Sequence, residues 1–337
     1  MQMKESFFRR AFLVVVVALG AIVMGWAEDG KVRRDGFDLY YRTEGNGTPV
    51  VLVSGGPGFD VDYMKEVGGF LPGDYQRIYL EQRGTGRSMP PSLSAETVNV
   101  KLWVEDLEAL RVALKQERLF LVAHSGGGLL AQAYASAHPD RVDRMILIGP
   151  GGPTLEFASW LLDNLAARQT PEDQRLMAYW NAAESHGVDH EKAMLERVRV
   201  TTAAYFFDRA KGLAWAAAIP EGSFHARMNE LVFADLAKGY DARPGLRKLQ
   251  CPVLIVQGHQ DPIGDLTALE IHNTIPGSQL TFLGQCGHYP WVERPDAFRK
   301  VVTEFLKKTK EARMLSCGKD IRGAVRATTS FFETEAT

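Results

Sequence analysis

The chain has 337 residues, of which 45% are hydrophobic and 24% charged, a balance typical of a globular protein with a sizeable core. Its formal net charge is -2 and no basic stripe or arm stands out, which argues against nucleic acid as a partner. The three cysteines, Cys251, Cys286 and Cys317, cannot all pair within one chain, so a disulfide-stapled scaffold is not expected.

The N-terminus predicts a secretory signal. Basic residues among the first ten precede an apolar run over residues 11–25, and small residues lead up to a cleavage site after Ala27. The run is shorter than the roughly 20 residues that a membrane-spanning helix needs. Residues 1–27 are therefore expected to be removed from a secreted or periplasmic protein. The alternative is a membrane anchor retained over residues 11–26.

Strands and helices then alternate along the first half of the chain. The strands are short and almost wholly apolar, as in a sheet that is covered on both faces. This pattern predicts an α/β fold with a mostly parallel sheet flanked by helices. The predicted elements are a hairpin over residues 31–43, strands at 49–53 and 77–80, a helix over 97–116, and strands at 119–123 and 145–148.

The pattern changes after residue 152. Residues 153–245 are polar-rich with helical spacing, which predicts a helical lid inserted into the fold. Strands at 251–257 and 279–283 and a closing helix from Pro295 resume the α/β pattern. The predicted organisation is a core of residues 28–152 and 246–310, a lid of residues 153–245, and a loosely attached, disorder-prone tail of residues 311–337.

Ser125 is the candidate nucleophile. It lies between the apolar strand at 119–123 and a helical stretch, with Gly127 two residues later. A serine between strand and helix with small neighbours is typical of the strained turn that exposes a nucleophilic hydroxyl. The usual pattern is Gly-x-Ser-x-Gly, and Ala123 stands in place of the first glycine. The alternative interpretation is a serine that caps the helix.

A serine nucleophile needs a base and an orienting carboxylate. Asp261 follows the strand at 251–257 and His288 follows the strand at 279–283, so both lie at the carboxyl edge of the sheet. The order Ser, Asp, His is that of the α/β-hydrolase arrangement. Asp265 is the reserve acid. The histidines that compete as base are His124, whose neighbouring position should point it away from Ser125, His138 and His259.

Backbone N–H groups should stabilise the oxyanion of an acyl-transfer reaction. The N–H of Gly126, next to the nucleophile, is one candidate, and Gly55 or Gly56 supplies the other from the loop after the strand at 49–53. A plain turn is the alternative interpretation of that loop. No metal-ligand spacing is evident, since His186 and His190 fit a polar helix face, and the chemistry requires no cofactor.

Several motifs together resemble the α/β-hydrolase superfamily, over roughly residues 31–308 without much of the predicted lid. Residues 54–58 (Ser-Gly-Gly-Pro-Gly) and 82–88 (Gln-Arg-Gly-Thr-Gly-Arg-Ser) resemble its proline iminopeptidase branch in particular. The other motifs that carry the resemblance are the serine turn, Gly258 with Asp261, and Gly287 with His288.

Three positions depart from the branch pattern. Ser54 replaces a histidine and should change how the loop is braced, and Glu81 replaces an aspartate. Gly126 replaces an aromatic residue and should leave space beside the nucleophile. Glutamates hold the free amino group of the substrate in this branch. Its Trp-x-x-Trp-Glu pattern does not occur here, so Glu184 and Glu221 are proposed only as candidates for that contact.

The sequence thus predicts a serine hydrolase that works through an acyl-enzyme. The resemblance implies a proline iminopeptidase-like aminopeptidase acting on small peptides or amides. An esterase or lactonase of small esters is the alternative enzyme, and a non-catalytic ligand-binding member of the fold is the alternative of another class. Epoxide hydrolase or dehalogenase chemistry would require a carboxylate at position 125. The expected partner is a small molecule or short peptide, with membrane contact through an uncleaved N-terminus alone.

Overall fold

One eight-stranded sheet organises the described part of the chain, residues 28–311 of a computed structural model. The order of strands across the sheet is β1-β2-β4-β3-β5-β6-β7-β8. The strands are β1 (Glu28–Arg33), β2 (Asp38–Glu44), β3 (Thr48–Val53), β4 (Tyr75–Leu80), β5 (Leu119–His124), β6 (Val142–Ile148), β7 (Val253–Gly258) and β8 (Gln279–Leu283).

The sheet is mostly parallel, which confirms the predicted fold class. The strands β4, β3, β5, β6, β7 and β8 are parallel neighbours, and β1 and β2 form an antiparallel extension at one edge. All carboxyl ends of the parallel strands therefore lie along one edge of the sheet, where a site built from several loops is expected.

Both faces of the sheet are buried, which explains why its central strands are continuously apolar. Alternate side chains of one strand belong to different cores. Leu121 and Ala123 of β5 pack in one core, whereas Phe120 and Val122 pack in the other. Twelve helices connect and flank the strands over residues 28–311. They are α1 (Met64–Gly68), α2 (Val100–Ala113), α3 (Gly126–Ala137), α4 (Phe157–Arg168), α5 (Pro171–Ala182), α6 (His190–Thr202), α7 (Arg209–Ala218), α8 (Ala226–Leu236), α9 (Arg243–Leu246), α10 (Asp265–Thr274), α11 (Pro290–Glu293) and α12 (residues 295–311).

Local sequence explains where several of these helices begin. Asn99 accepts a hydrogen bond from Leu102 N at the start of α2, and Asp208 accepts from Ala210 N at the start of α7. Thr170 and Asp173 form a reciprocal capping box at the start of α5. Such caps satisfy N–H groups that have no partner inside the helix.

Helices α4 to α9 are inserted between β6 and β7, in the segment predicted to be a lid. An isolated bridge between Thr154 and Asp241 joins the beginning and end of this insertion. Helix α9 straddles the predicted boundary at residue 245 and packs on α3, where Gly245 lies against Ser136. The helical content is as expected from the sequence, and a lid function for the insertion stays a prediction.

The predictions for the two ends of the chain lie outside the described residues. This applies to the signal or anchor of residues 1–27 and to the tail beyond residue 311. Within residues 28–311, no helix combines the length and apolar character needed to cross a membrane. The sequence analysis also missed the short helices α1, α10 and α11, because helices of four to ten residues carry too few turns for a clear apolar period.

Candidate active site

Ser125 occupies a strained turn between β5 and α3. Its backbone has φ 53° and ψ −121°, a region that residues other than glycine rarely adopt. The turn is held by Ser125 N, which donates to Ile148 O at 3.0 Å, and by Gly128 N, which donates to Ser125 O at 2.8 Å. The Ser125 side chain makes no capping hydrogen bond to α3, so the geometry does not support the helix-cap interpretation.

The two other predicted triad residues form a buried pair. The Nδ1 atom of His288 lies 2.8 Å from Oδ2 of Asp261, and the two side chains are 2% and 0% exposed. The second oxygen of Asp261 accepts from Ile263 N at 2.9 Å, which fixes the carboxylate plane. Gly149, at the end of β6, lies against this pair, because a Cβ there would come within 2.8 Å of both Asp261 Oδ2 and His288 Nδ1.

Ser125 and His288 line the same cavity, so the structure brings all three predicted triad residues to one edge of the sheet. With Nδ1 of His288 engaged by a carboxylate, Nε2 is the ring nitrogen left for proton transfer.

The reserve acid and the alternative bases lie away from Ser125 or are bonded to other groups. Asp265 faces His259 at 2.8 Å on the surface, and the His259 ring stacks on Phe282 with centroids 4.8 Å apart. His138 lies at the far end of α3, next to Tyr134. His124 is different, since its ring centroid is 4.5 Å from that of His288 and it lines the cavity. Both ring nitrogens of His124 have other partners, Tyr63 Oη at 2.9 Å and the main-chain oxygen of His288 at 3.1 Å, so the ring is not placed as the base of Ser125.

The loop that carries His288 is held by residues that the sequence analysis missed. Glu293, on α11, is buried and accepts from Gly287 N at 2.6 Å and from Asp208 N at 2.8 Å. His288 N donates to Tyr205 O at 2.8 Å. Glu293 carries no sequence signal for this role, because Asp208, which it ties to the loop of His288, lies 85 positions earlier in the chain.

Gly126 leaves no space beside the nucleophile, contrary to expectation. A Cβ at this position would lie 2.7 Å from Pro57 N and 2.8 Å from Gly56 C. Real Cβ atoms essentially never approach backbone atoms this closely. The glycine is thus required because residues 54–58, here named the oxyanion loop, pack directly against the serine turn.

A hydrogen bond to Tyr63 excludes one of the three predicted oxyanion donors. The N–H of Gly55 donates to Tyr63 Oη at 2.5 Å and is already engaged. Within the described residues, the N–H groups of Gly56 and Gly126 have no intramolecular acceptor. Gly56 lines the cavity, and Gly126 adjoins Gly56. Gly56 and Gly126 are therefore the pair available to an oxyanion, and Gly55 is not.

Ser54 braces the oxyanion loop in place of the family histidine. Its hydroxyl donates to Phe59 O at 2.8 Å and accepts from Gln82 Nε2 at 2.9 Å. Gln82 Nε2 also donates to Ser54 O at 2.8 Å, so the motif at residues 82–88 fastens the loop from β4. Asn229, on α8, donates to Pro57 O at 2.7 Å from the other side.

A cavity of about 360 Å³ extends from Ser125 into the inserted helices. Its wall is mostly aliphatic and aromatic, which suits an apolar ligand held by few polar groups. The apolar side chains come from α4, α5, α6, α7 and α8 and from the loops around Ser125. The polar groups beyond the triad region are Arg197, Thr201, Thr202 and Asn229.

Neither of the glutamates proposed for amine binding lines this cavity. Glu184 faces His190 at 2.9 Å and Arg197 at 3.0 Å on the outer side of the insertion. Glu221 lines a neighbouring cavity whose wall shares Trp215 with the first. Across residues 28–311, no aspartate or glutamate lines the cavity that contains Ser125.

Potential metal ligands are engaged in ion pairs or hydrogen bonds. His190 bridges Glu184 and Glu230, with ring nitrogens 2.9 Å and 2.7 Å from their oxygens. In the described part of the chain, no group of three or more histidine, cysteine, aspartate or glutamate side chains has the arrangement of a metal site.

The fold and this site define the class of the protein. The family model described as "alpha/beta hydrolase fold" matches residues 48–295, more than half of the chain. The protein belongs to the α/β-hydrolase family, and it is a hydrolase of that family.

Within the family, the resemblance to proline iminopeptidases is confirmed. The chain is 28% identical over 313 residues to the proline iminopeptidase of Lactobacillus helveticus, covering 84% of this chain and 99% of the relative. It is also 30% identical over 289 residues to the 2-hydroxy-6-oxo-2,4-heptadienoate hydrolase of Pseudomonas putida, covering 83% and 97%. The proline iminopeptidase structure from Mycobacterium smegmatis superposes with a TM-score of 0.65 at 18% identity, over 85% of this chain and all of that one, and supports the fold alone.

Proposed function

We propose that the protein is a serine hydrolase that cleaves small apolar esters through an acyl-enzyme. The observation that carries this proposal is the buried His288–Asp261 pair, 2.8 Å apart, in a site whose cavity is also lined by the strained Ser125. The relatives are hydrolases named for different substrates, and they support the reaction class more than any one substrate.

The proposed reaction proceeds in two acyl transfers. Ser125 Oγ attacks the carbonyl carbon while its proton passes to His288, and Asp261 stabilises the resulting imidazolium. The N–H groups of Gly56 and Gly126 stabilise the oxyanion of the tetrahedral intermediate. Collapse of the intermediate breaks the bond to the alkoxide, which takes the proton from His288. Water, which loses a proton to the same histidine, then attacks the acyl carbon. The bond from that carbon to Ser125 Oγ breaks, His288 returns the proton to Oγ, and the carboxylic acid leaves.

The cavity wall favours an ester over a peptide with a free N-terminal amine. An ammonium group buried in an apolar cavity needs a carboxylate partner. None lines this cavity within the described residues, and Glu184 is already paired with Arg197 and His190. This reverses the ranking that the sequence resemblance implies. The proline iminopeptidase activity stays the second candidate, supported by the 28% identity to the Lactobacillus helveticus enzyme.

A substrate panel separates the two activities. We expect turnover of p-nitrophenyl butyrate. We also expect kcat/KM for butyryl p-nitroanilide to exceed that for L-proline p-nitroanilide by at least about 10²-fold, because the two anilides share a leaving group and only the second brings an unpaired ammonium. A preference for the proline anilide would overturn the ester assignment and favour the aminopeptidase.

Covalent labelling tests the serine chemistry independently of substrate choice. The wild-type protein should form a fluorophosphonate adduct on Ser125, and Ser125→Ala should form none and lose hydrolysis by at least about 10³-fold. A wild-type protein with neither adduct nor turnover would favour the non-catalytic, ligand-binding alternative.

The secretory signal also stays a proposal. It is supported by the basic residues and the apolar run that precede Glu28. N-terminal sequencing of the mature protein should begin at Glu28, and recovery of an intact N-terminus in the membrane fraction would favour the anchor.

A further inference from the structure

A continuous chain of hydrogen bonds joins three loops of the candidate site. Gly55 N lies 2.5 Å from Tyr63 Oη, which in turn lies 2.9 Å from His124 Nδ1. The other ring nitrogen, His124 Nε2, lies 3.1 Å from the main-chain oxygen of His288. Gly55 belongs to the oxyanion loop, His124 immediately precedes Ser125, and His288 carries the candidate base. The chain therefore spans the loops that supply oxyanion donor, nucleophile and base.

The direction of this chain is fixed at both ends. A backbone N–H can only donate and a carbonyl oxygen can only accept. Since the His288 carbonyl accepts, His124 Nε2 must carry a proton, and Nδ1 of the neutral ring is then the acceptor for the Tyr63 hydroxyl. Tyr63 Oη in turn accepts from Gly55 N–H. All three hydrogen bonds are satisfied by one arrangement of protons, in which both side chains are uncharged.

The surroundings of the two side chains favour these neutral forms. The His124 side chain is buried, and aromatic rings pack against it, with the centroids of Trp291 and Tyr289 4.8 Å and 5.3 Å away. This burial, together with the nearby His288, lowers the pKa of His124 well below its usual value. Burial also raises the pKa of Tyr63 well above its usual value. The hydrogen-bond chain is thus preserved at neutral pH.

We propose that Tyr63 and His124 are positioning residues that hold the oxyanion loop and the His288 loop in register about Ser125. By engaging Gly55 N–H, Tyr63 holds the loop in which the next residue, Gly56, lines the cavity with an N–H that has no internal acceptor. By donating to the His288 carbonyl, His124 fixes the main chain that carries the base. The inference rests on the serine chemistry proposed above.

Three variants test the inference in the full-length protein. Tyr63→Phe removes the hydroxyl in the middle of the chain, and His124→Phe keeps a ring but removes both hydrogen bonds. Tyr79→Phe is the matched control, because it removes the hydroxyl of another buried tyrosine. Tyr79 lies on β4, donates a hydrogen bond to Glu44 at 3.0 Å and does not line the cavity. Thermal unfolding of each variant reports on folding.

We expect Tyr63→Phe and His124→Phe each to lower kcat, and the two losses not to add in the double variant. Each single variant should lower kcat for p-nitrophenyl butyrate about tenfold, with KM changed less than about twofold, since each substitution breaks the hydrogen-bond chain. A phenylboronic acid, which forms a tetrahedral adduct with serine, should lose affinity in parallel. The double variant should be no worse than either single one, because the chain is broken in each case.

Each alternative outcome has a definite meaning. Additive losses in the double variant, or a Tyr63→Phe variant that matches Tyr79→Phe in kcat, would overturn the positioning role. An effect on KM alone would assign Tyr63 and His124 to substrate contact, since both line the cavity. A wild-type protein without a Ser125 adduct would overturn the proposed function, and this inference with it.

Discussion

The carboxylate of Asp261 lies 2.8 Å from His288 Nδ1, and both side chains are buried. The two residues are 27 positions apart and come from the loops after β7 and β8. A buried carboxylate in this position orients the imidazole and stabilises its protonated form during catalysis. The Asp261–His288 pair therefore fixes both the tautomer of the His288 imidazole and the orientation of its ring.

Asp261→Asn should abolish most activity while preserving the fold. An amide can hold the imidazole in the wrong tautomer, which in such triads costs about 10⁴-fold in kcat. The measurement is kcat on p-nitrophenyl butyrate. Asp265→Asn is the control, because Asp265 pairs with His259 on the surface and is the reserve acid of the sequence analysis. Equal losses in both variants would contradict the assignment of Asp261.

Gly126→Ala should disrupt the oxyanion site. The added Cβ would meet Pro57 N at 2.7 Å, and because the obstacle is backbone, the whole loop must shift. We expect a loss of about 10²-fold in kcat, as for removal of one oxyanion donor. Gly73→Ala adds the same methyl group where no atom lies within 4 Å, and it should retain activity. An active Gly126→Ala variant would show that the loop does not rest against the turn.

Ser54→Ala should destabilise the protein by about 1–2 kcal/mol, because it leaves Phe59 O without the donor that it has in the native loop. The measurement is the free energy of unfolding in urea. Ser159→Ala removes a similar hydrogen bond to Glu156 O at an exposed site and should cost less than about 0.5 kcal/mol. A Ser54→Ala variant as stable as Ser159→Ala would mean that Ser54 does not brace the oxyanion loop.

His124 should make the protein sensitive to acid. Burial lowers its pKa in the folded state, so below the ordinary histidine pKa of about 6.5 only the unfolded chain takes up this proton. The free energy of unfolding should then fall as the pH drops, by at most about 1.4 kcal/mol per pH unit for this group, until the folded pKa is reached.

The comparison of Tm at pH 7.5 and pH 5.0 measures this effect. His124→Phe should reduce the difference between the two values relative to wild type. His186→Asn, at an exposed position, is the control for the loss of one histidine. An unchanged difference in His124→Phe would show that the ring is not held neutral by burial.

Much of this protein is determined by patterns that are local in sequence. Continuous apolar strands separated by helices specify a covered parallel sheet, and such a sheet places its loops at one edge. The positions of Ser125, Asp261 and His288, each after its own strand, could therefore be predicted before the structure. The strained turn at Ser125 could also be predicted, because the strand, the serine and the glycines follow one another in sequence.

Only the tertiary structure shows which backbone N–H groups at that edge have no internal acceptor and which side chains surround them. Gly55 and Gly56 are indistinguishable in sequence, and only Tyr63 shows which N–H is taken. The partners of His124 lie 61 and 164 positions away, and the wall of the cavity comes from helices inserted between β6 and β7. Local periodicity carries no information on such contacts, because they depend on how distant segments pack.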